Sequence, residues 1–189
     1  MNPFRQCQLA GFFLLFSLPV IASDKIDAID NYRQYSPYFS SSGQPSAEQL
    51  EALSEDGFER VIYLAFSDNE TAIKAEDRAV KSLGMDYFHI PVDFDQPTVA
   101  DFEDFAAVMN RDKTVRTLLH CQINLRASTF SFLYRVIYGG VPMLDAKSDL
   151  DAIWQPNKVW YAFIVEVLKA HSLSQECEGC DWGVNEFRD

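Results

Sequence analysis

The chain has 189 residues, of which 48% are hydrophobic and 14% aromatic, and this is enough to bury one sizeable core. Its 28 Asp and Glu residues outnumber 16 Lys and Arg, giving a net charge of -12, so the summed field repels nucleic acids and anionic membranes. We therefore expect a single globular domain with no nucleic-acid partner, in which any phosphate is held by local geometry.

The N-terminus has the pattern of a secretory signal peptide. Residues 1–22 carry one positive charge, at Arg5, followed by an almost wholly apolar run that ends in small residues. We expect cleavage between Ala22 and Ser23, which leaves residues 23–189 as one domain in the periplasm or outside the cell, without stable membrane association. An uncleaved anchor is the alternative, although the apolar run is shorter than the roughly 20 residues that span a bilayer.

The first half of the mature chain alternates between strand and helix patterns. Residues 32–42 are aromatic-rich and irregular, and we expect no regular element there. Ser46 caps a helix that ends near Gly57, and Gln49 completes a capping box. The next segments are predicted to be a buried strand, a helix and a second strand, at residues 60–66, 71–83 and 86–90.

The second half continues the alternation. A loop at residues 92–98 leads to Thr98, which caps a third helix. Apolar and β-branched residues predict a strand at residues 115–120, and an amphipathic helix follows the next turn and ends at Gly139. A last apolar stripe at helical spacing covers residues 160–168. Strands that alternate with helices indicate an α/β fold with a largely parallel central sheet flanked by helices.

The most informative motif lies at residues 115–128, which read V-R-T-L-L-H-C-Q-I-N-L-R-A-S. Cys121 stands between the strand and the helix, and Arg126 follows five positions later. The turn leaves backbone N–H groups unpaired at the helix start, where the helix dipole favours both an anion and a thiolate. The motif therefore predicts a nucleophilic cysteine in an anion-binding loop, at the sheet edge where ligands of such folds collect.

Three cysteines remain once the N-terminal segment is removed: Cys121, Cys177 and Cys180. Because this number is odd, one thiol must stay free. Export implies an oxidising compartment, so we expect Cys177 and Cys180 to form a disulfide in a short C-terminal tail. The alternative is a redox partner for Cys121. Two neighbouring cysteines alone do not complete a zinc site, and no metal is expected.

Four segments together carry a family resemblance. They are S-S-G-Q-P-S-A-E-Q-L, R-V-I-Y-L, H-I-P-V and H-C-Q-I-N-L-R-A-S, at residues 41–50, 60–64, 89–92 and 120–128. Through them the chain resembles the cysteine-dependent protein tyrosine phosphatase superfamily. Within it, the chain is most similar to the small bacterial dual-specificity-like phosphatases and to phosphatase domains related to beta-lactamase-hydrolase-like proteins.

The resemblance implies hydrolysis of phosphate monoesters, in a phosphorylated small molecule or a phosphoprotein, with no cofactor. Cys121 would attack phosphorus and form a cysteinyl-phosphate that water then hydrolyses. Arg126 and the backbone N–H groups of the loop would bind the nonbridging oxygens. The loop residues that supply these N–H groups are Gln122, Ile123, Asn124 and Leu125.

The loop departs from the family pattern by one residue. Family members usually have five residues between the cysteine and the arginine, whereas this chain has four. Asn124 occupies the place of the family's glycine, and asparagine tolerates the left-handed backbone conformation. Ser128 keeps the offset of the family's hydroxyl residue from the cysteine. Arg126 therefore arrives one position early, which on a helix corresponds to about 100° of rotation.

A loop of this length is also similar to that of rhodanese-like sulfurtransferases, in which the cysteine carries a persulfide. His120 before the cysteine and the H-I-P-V strand favour the phosphatase. A catalytically degenerate phosphate-binding domain is the third alternative.

The general acid is expected in the loop that follows the H-I-P-V strand. Asp93 and Asp95 both lie where such phosphatases carry the aspartate that protonates the leaving oxygen, and we prefer Asp93. Either residue could instead be a solvated loop charge. Because side chains alternate along a strand, His120 should point away from Cys121. We expect it to orient the loop by a hydrogen bond rather than to transfer a proton.

Overall fold

The computed structural model describes residues 20–183. Within them, five strands form one sheet of order β1-β2-β5-β3-β4. The strands are β1 (Arg33–Ser36), β2 (Phe39–Ser42), β3 (Arg60–Tyr63), β4 (Asp86–His89) and β5 (Thr117–His120). The helices are α1 (Val20–Asp27), α2 (Ala47–Glu55), α3 (Glu76–Ser82), α4 (Val99–Arg111), α5 (Leu125–Ile137), α6 (Met143–Asp151) and α7 (Lys158–Ala170).

The sheet is parallel except at one edge, where β1 pairs with β2 in the antiparallel sense. The parallel register places Ser42, His120, Tyr63 and His89 in one row across the carboxyl ends of four strands. The loops that follow these strands therefore leave the sheet at the same edge, where ligands bind in open α/β sheets. The predicted α/β fold with a largely parallel sheet flanked by helices is confirmed.

Helices cover both faces of the sheet. On one face, α1, α2 and α3 bury an aliphatic cluster that includes Leu53, Val61 and Leu118. On the other face, α4 to α7 bury a larger cluster built around aromatic rings such as Phe105 and Phe130. Since side chains alternate along a strand, consecutive residues of β5 belong to different layers.

The expectation of no regular element at residues 32–42 is wrong, because β1 and β2 both lie there. β2 is fully buried although most of its residues are serines. Tyrosine hydroxyls form hydrogen bonds with two of the three serines, with Tyr32 Oη 3.0 Å from Ser40 Oγ and Tyr35 Oη 2.8 Å from Ser41 Oγ, and Ser42 Oγ donates to the Gly43 carbonyl at 2.7 Å. Hydrogen bonds thus offset the cost of burying these polar side chains. Because the strand has few apolar residues, its sequence has no hydrophobic pattern.

Other elements also differ from the sequence-based expectations. The helix predicted at residues 71–83 is shortened to α3, because Ala75 adopts a left-handed conformation with φ of 57° and separates the helix from the turns before it. The strand predicted at residues 60–66 ends at Tyr63. α6 was not predicted; it begins directly after Pro142, a residue that is well tolerated at helix starts.

Two predicted helix caps are confirmed. Ser46 Oγ accepts the backbone N–H of Gln49 at 3.2 Å, and the Gln49 side chain accepts the Ser46 N–H at 2.8 Å. Thr98 caps α4 and forms a second capping box with Asp101. Each cap satisfies N–H groups that a helix start would otherwise leave unpaired.

The C-terminal tail contains the expected disulfide between Cys177 and Cys180. Beyond it, the ring of Trp182 packs on the body of the protein, where the ammonium of the buried Lys147 lies 4.6 Å from its centroid. Among the described residues, Cys121 is the free cysteine.

Most of the predicted signal peptide, residues 1–19, lies outside the described part of the chain, and α1 runs across the expected cleavage point. Between residues 20 and 183, no helix is both long and apolar enough to cross a membrane.

Replacing Ser46 with Ala removes the side-chain acceptor at the start of α2. We expect the free energy of unfolding to fall by about 1 kcal/mol, measured by urea denaturation. Glu51→Ala, at an exposed position of the same helix, is the matched control and should change stability by less than about 0.5 kcal/mol. Equal losses in both variants would contradict a specific role for the cap.

Candidate active site

Cys121 lies in a tight turn between the end of β5 and the start of α5. Its backbone N–H donates to the Ser42 carbonyl at 3.3 Å, and the N–H of Gln44 donates to the carbonyl of Gln122 at 2.9 Å. A Cβ atom at Gly43 would lie 2.9 Å from that same Gln122 oxygen, so this approach requires glycine. The segment after β2 therefore holds the cysteine loop from one side.

The turn is completed by Asn124, which has φ of 73° and ψ of 5°. The expectation that asparagine supplies a left-handed residue here is confirmed. Its Nδ2 donates to the Asn31 carbonyl at 2.6 Å, and Asn31 Nδ2 donates to the Ile123 carbonyl at 2.9 Å. These reciprocal amide bonds fix the turn to the segment before β1. Ser128 N–H then donates to the Asn124 carbonyl at 2.9 Å and starts the hydrogen-bond ladder of α5.

Backbone donors are open in this turn. Within the described residues, the N–H groups of Gln122 and Ile123 donate to no carbonyl group, and α5 has no side-chain cap at its start. Unpaired N–H groups next to a helix N-terminus bind anions well, because the helix dipole adds positive potential there. The turn can therefore bind a phosphoryl group through its backbone.

Hydrogen bonds fix the Arg126 side chain, although this arginine follows the cysteine one residue sooner than in the family pattern. Its Nε donates to the Val92 carbonyl at 3.0 Å, and its Nη1 lies 3.4 Å from Gln122 Oε1. The guanidinium carbon lies 5.0 Å from the ring centroid of Phe94. A guanidinium has five N–H donors, so these two bonds leave donors for a ligand. The loop after β4 thus fixes the arginine through Val92 and Phe94.

Cys121, residues of the turn and Arg126 line one cavity of about 330 Å³. Its lining residues are Phe94, Cys121, Gln122, Ile123, Leu125 and Arg126. Among them only Arg126 is charged, and the side chains of Phe94, Ile123 and Leu125 make an apolar rim. Cys121 itself is 1% exposed, whereas Ile123 is 48% exposed. The cysteine therefore lies at the bottom of the cavity.

The two candidate acids lie beside the cavity and not in its lining. Asp93 and Asp95 are both exposed, on either side of Phe94. One carboxylate oxygen of Asp93 accepts the backbone N–H of Asp95 at 2.9 Å, which closes a local turn. The structure thus places both residues in the expected loop without bringing either carboxylate to Cys121, and the identity of the general acid stays a prediction.

His120 and Ser128 are the two residues expected to support the loop. The Ser128 hydroxyl donates to the Leu125 carbonyl at 3.1 Å, within the first turn of α5. His120 is fully buried and lies on the sheet face opposite the Cys121 cavity, where its ring stacks on Tyr63 at 4.6 Å between centroids. Burial lowers the pKa of His120 to about 3, so the ring is neutral near pH 7 and does not act as an acid there.

Sequence reasoning missed Glu76, which lies behind the loop. It is 4% exposed, and its Oε1 accepts a hydrogen bond from Gln44 Nε2 at 2.8 Å and lies 3.4 Å from His120 Nε2. This spacing is that of an ion pair, but His120 is neutral, so the contact joins a neutral ring to a carboxyl group. Burial raises the pKa of Glu76 to about 7. Glu76 is three residues after Ile73 and four before Val80, so it lies on the helix face that was predicted to be apolar.

No group of three or more His, Cys, Asp or Glu residues in the described part of the chain is arranged to hold a metal ion. The polar groups that line the Cys121 cavity are a thiol, an amide and a guanidinium, and the guanidinium and the loop N–H groups are suited to an anion.

Comparisons with known proteins agree with this geometry. A family model described as "DSP-PTPase phosphatase fused to NAD+ Kinase" matches residues 18–147, which is more than half of the chain. The comparison with curated proteins gives no match.

Three solved structures illustrate the similarity. A protein from Shewanella putrefaciens CN-32, described as "Putative phosphatase (DUF442)", is 33% identical with a TM-score of 0.71, and the match covers 78% of this chain and 97% of that one. The core catalytic domain of the PP-IP phosphatase SIW14 from S. cerevisiae is 14% identical, with a TM-score of 0.61 and coverage of 76% and 92%. PTPMT1 in complex with PI(5)P is 13% identical, with a TM-score of 0.64 and coverage of 76% and 97%.

The two more distant structures share the fold alone, whereas the family model and the DUF442 protein carry the family assignment. Both agree with the resemblance inferred from the sequence, which is thereby confirmed. This chain belongs to the dual-specificity and tyrosine phosphatase superfamily, as a phosphatase of the DSP-PTPase type.

Proposed function

We propose that the protein hydrolyses phosphate monoesters through a covalent intermediate on Cys121. The observation that carries this proposal is the cavity shared by Cys121, Arg126 and the two turn residues with unpaired N–H groups, Gln122 and Ile123. The Cys121 thiolate attacks phosphorus, the P–O bond to the leaving group breaks, and the alcohol departs with a proton from a general acid. Water then attacks the cysteinyl-phosphate, the S–P bond breaks, and inorganic phosphate and the thiolate are released.

Binding of the phosphoryl group falls to Arg126 and the loop N–H groups. The negative charge that develops on the nonbridging oxygens is stabilised by donors already fixed in place, so little reorganisation is needed during the reaction. The bonds of Arg126 to Val92 and Gln122 supply this fixation. For the general acid we propose Asp93, with Asp95 as the second candidate, since the loop that carries both also holds Arg126.

The substrate is proposed to carry one phosphate on an uncharged group. Among the cavity-lining residues only Arg126 is cationic, and the rim residues Phe94, Ile123 and Leu125 are apolar. A ligand with several phosphate groups, such as the one named for the yeast PP-IP phosphatase, would need further cations that this rim does not supply. A phosphorylated small molecule or a phosphorylated side chain of a protein fits better.

Export to the periplasm or the medium is part of the proposal. It is supported by the signal-like residues 1–22 and by the disulfide between Cys177 and Cys180, because disulfides persist mainly in oxidising compartments.

Cys121→Ser is expected to lower the turnover of p-nitrophenyl phosphate by at least about a thousandfold, because it removes the nucleophile. The control is the double variant Cys177→Ser/Cys180→Ser, which should hydrolyse the ester at the wild-type rate. If Cys121→Ser is as fast as the wild type, the proposed nucleophile is wrong. Phosphate binding without turnover in the wild type would identify a degenerate binding domain, and transfer of thiosulfate sulfur to cyanide would identify a sulfurtransferase.

The conformation of the turn is tested by comparing Asn124→Ala with Asn124→Gly. Both variants lose the bond to Asn31, but only glycine adopts positive φ without strain. We expect the alanine variant to be less stable than the glycine variant by about 1 kcal/mol, and its kcat/KM to be lower. Urea denaturation and steady-state kinetics measure the two effects. Equal stability of the two variants would contradict a left-handed turn.

Ile123→Ala tests the apolar rim. Loss of part of the contact with an aryl group should raise KM for p-nitrophenyl phosphate about threefold and leave kcat unchanged, because this contact is made equally in the ground state and the transition state. Leu173→Ala, at another exposed apolar position, should leave both constants at their wild-type values. A fall in kcat at constant KM would argue against a role limited to substrate binding.

A further inference from the structure

A single buried carboxyl group, that of Glu76, contacts the elements on both sides of the nucleophile. His120 directly precedes Cys121, and its Nε2 lies 3.4 Å from Glu76 Oε1. Gln44 donates its side-chain N–H to the same oxygen at 2.8 Å, and its backbone N–H donates to the carbonyl of Gln122, directly after Cys121, at 2.9 Å. The residues before and after the nucleophile are therefore both linked to one acid on the far side of the sheet.

Glu76 is the side-chain acid that faces the His120 ring. The ring is fully buried, and within the described residues no side chain forms a hydrogen bond of normal geometry with its nitrogens, although a backbone group of Cys121 interacts with the ring. A buried polar group without a partner is costly, and each such group in a native structure calls for an explanation. Glu76 Oε1 stands a few tenths of an ångström beyond normal hydrogen-bond range of Nε2. A hydrogen bond between the two groups would connect the end of β5 to α3.

The environment lets Glu76 change its charge near neutral pH. Burial raises its pKa to about 7, so the carboxyl is protonated below that pH and ionised above it. Glu76 is one of the residues that line a cavity of about 540 Å³. The other titratable groups that face Glu76 or line this cavity are His120 of β5, Tyr63 of β3, Tyr87 and His89 of β4, and Lys74 and Asp77 next to it in the chain.

We propose that Glu76 is a positioning residue of the phosphatase reaction, which braces the Cys121 loop through His120 and Gln44 and makes the reactivity of the thiol depend on the charge behind the sheet. This inference rests on the proposed function only in its kinetic consequence. The structural part, that Glu76 acts on Cys121, holds for any chemistry of the thiol.

The sign of the effect follows from the charges. When Glu76 is ionised and His120 is neutral, an uncompensated negative charge lies behind the loop and opposes formation of a thiolate. When Glu76 is protonated, this opposition is absent. Glutamine keeps the shape and the hydrogen-bonding oxygen of the neutral acid but cannot ionise, whereas alanine removes the brace altogether.

The test measures alkylation of Cys121 by iodoacetamide from pH 5.5 to 8.5 in the full chain, with the Cys121 peptide followed by mass spectrometry. Wild type and Glu76→Gln should react at equal rates at pH 6, and the variant should react about threefold faster at pH 8. Asp77→Asn removes a neighbouring charge in the same cavity and should follow the wild type at every pH. A rate ratio for Glu76→Gln that does not change with pH, or an equal change in Asp77→Asn, overturns the inference.

Steady-state kinetics with p-nitrophenyl phosphate supply the second readout. Glu76→Ala should lose about tenfold in kcat with little change in KM, because the nucleophile is displaced while the phosphate contacts remain. Glu76→Gln should restore most of that loss at pH 6. If Glu76→Ala fails to fold, the glutamine variant alone decides. An alkylation profile that shifts as expected in a protein without phosphatase activity would refute the proposed function and leave the action of Glu76 on Cys121 standing.

Discussion

The register between β2, β5 and β3 is the constraint on which the site depends. It aligns the ends of these strands in one row, so that the turn after β5 is flanked by the segment after β2 and the loop after β4 approaches it from the other side. Because side chains alternate along β5, adjacent residues at its end face opposite sides of the sheet. Cys121 faces the cavity, and His120 faces a buried polar cluster. A slip of one residue would exchange them and leave the thiol without its anion-binding environment.

The short loop shows how a family geometry tolerates one missing residue. Asn124 provides the left-handed turn that glycine usually provides, and its amide side chain also fixes the turn to Asn31. Arg126 enters the helix one position early, yet its Nε donates to the Val92 carbonyl and its guanidinium carbon lies 5.0 Å from the centre of the Phe94 ring. The guanidinium is thus positioned by the neighbouring loop rather than by the length of the cysteine turn, which relaxes the demand on loop length.

Much of the fold could be predicted because its signals are local. The caps at Ser46 and Thr98 and the apolar run before Cys121 follow from side-chain chemistry that acts within a few residues. β2 could not be predicted, since its serines are buried by hydrogen bonds to Tyr32 and Tyr35, which no periodicity reveals. Glu76 was missed for the same reason: its burial depends on contacts with residues far away in the chain, and a lone glutamate in a helical segment is normally solvated.

Burial of Glu76 also has a thermodynamic consequence for the whole molecule. The unfolded chain releases this proton near the ordinary pKa of 4.5, whereas the folded chain holds it up to about 7. Between these values the native state binds more protons than the denatured state, so the free energy of unfolding declines as the medium becomes more alkaline. The contribution of this one side chain is on the order of 3 kcal/mol, a large share of the margin that keeps a small domain folded. Burial of Glu76 thus lowers the stability of the native state near neutral pH, and this loss becomes smaller as the pH falls.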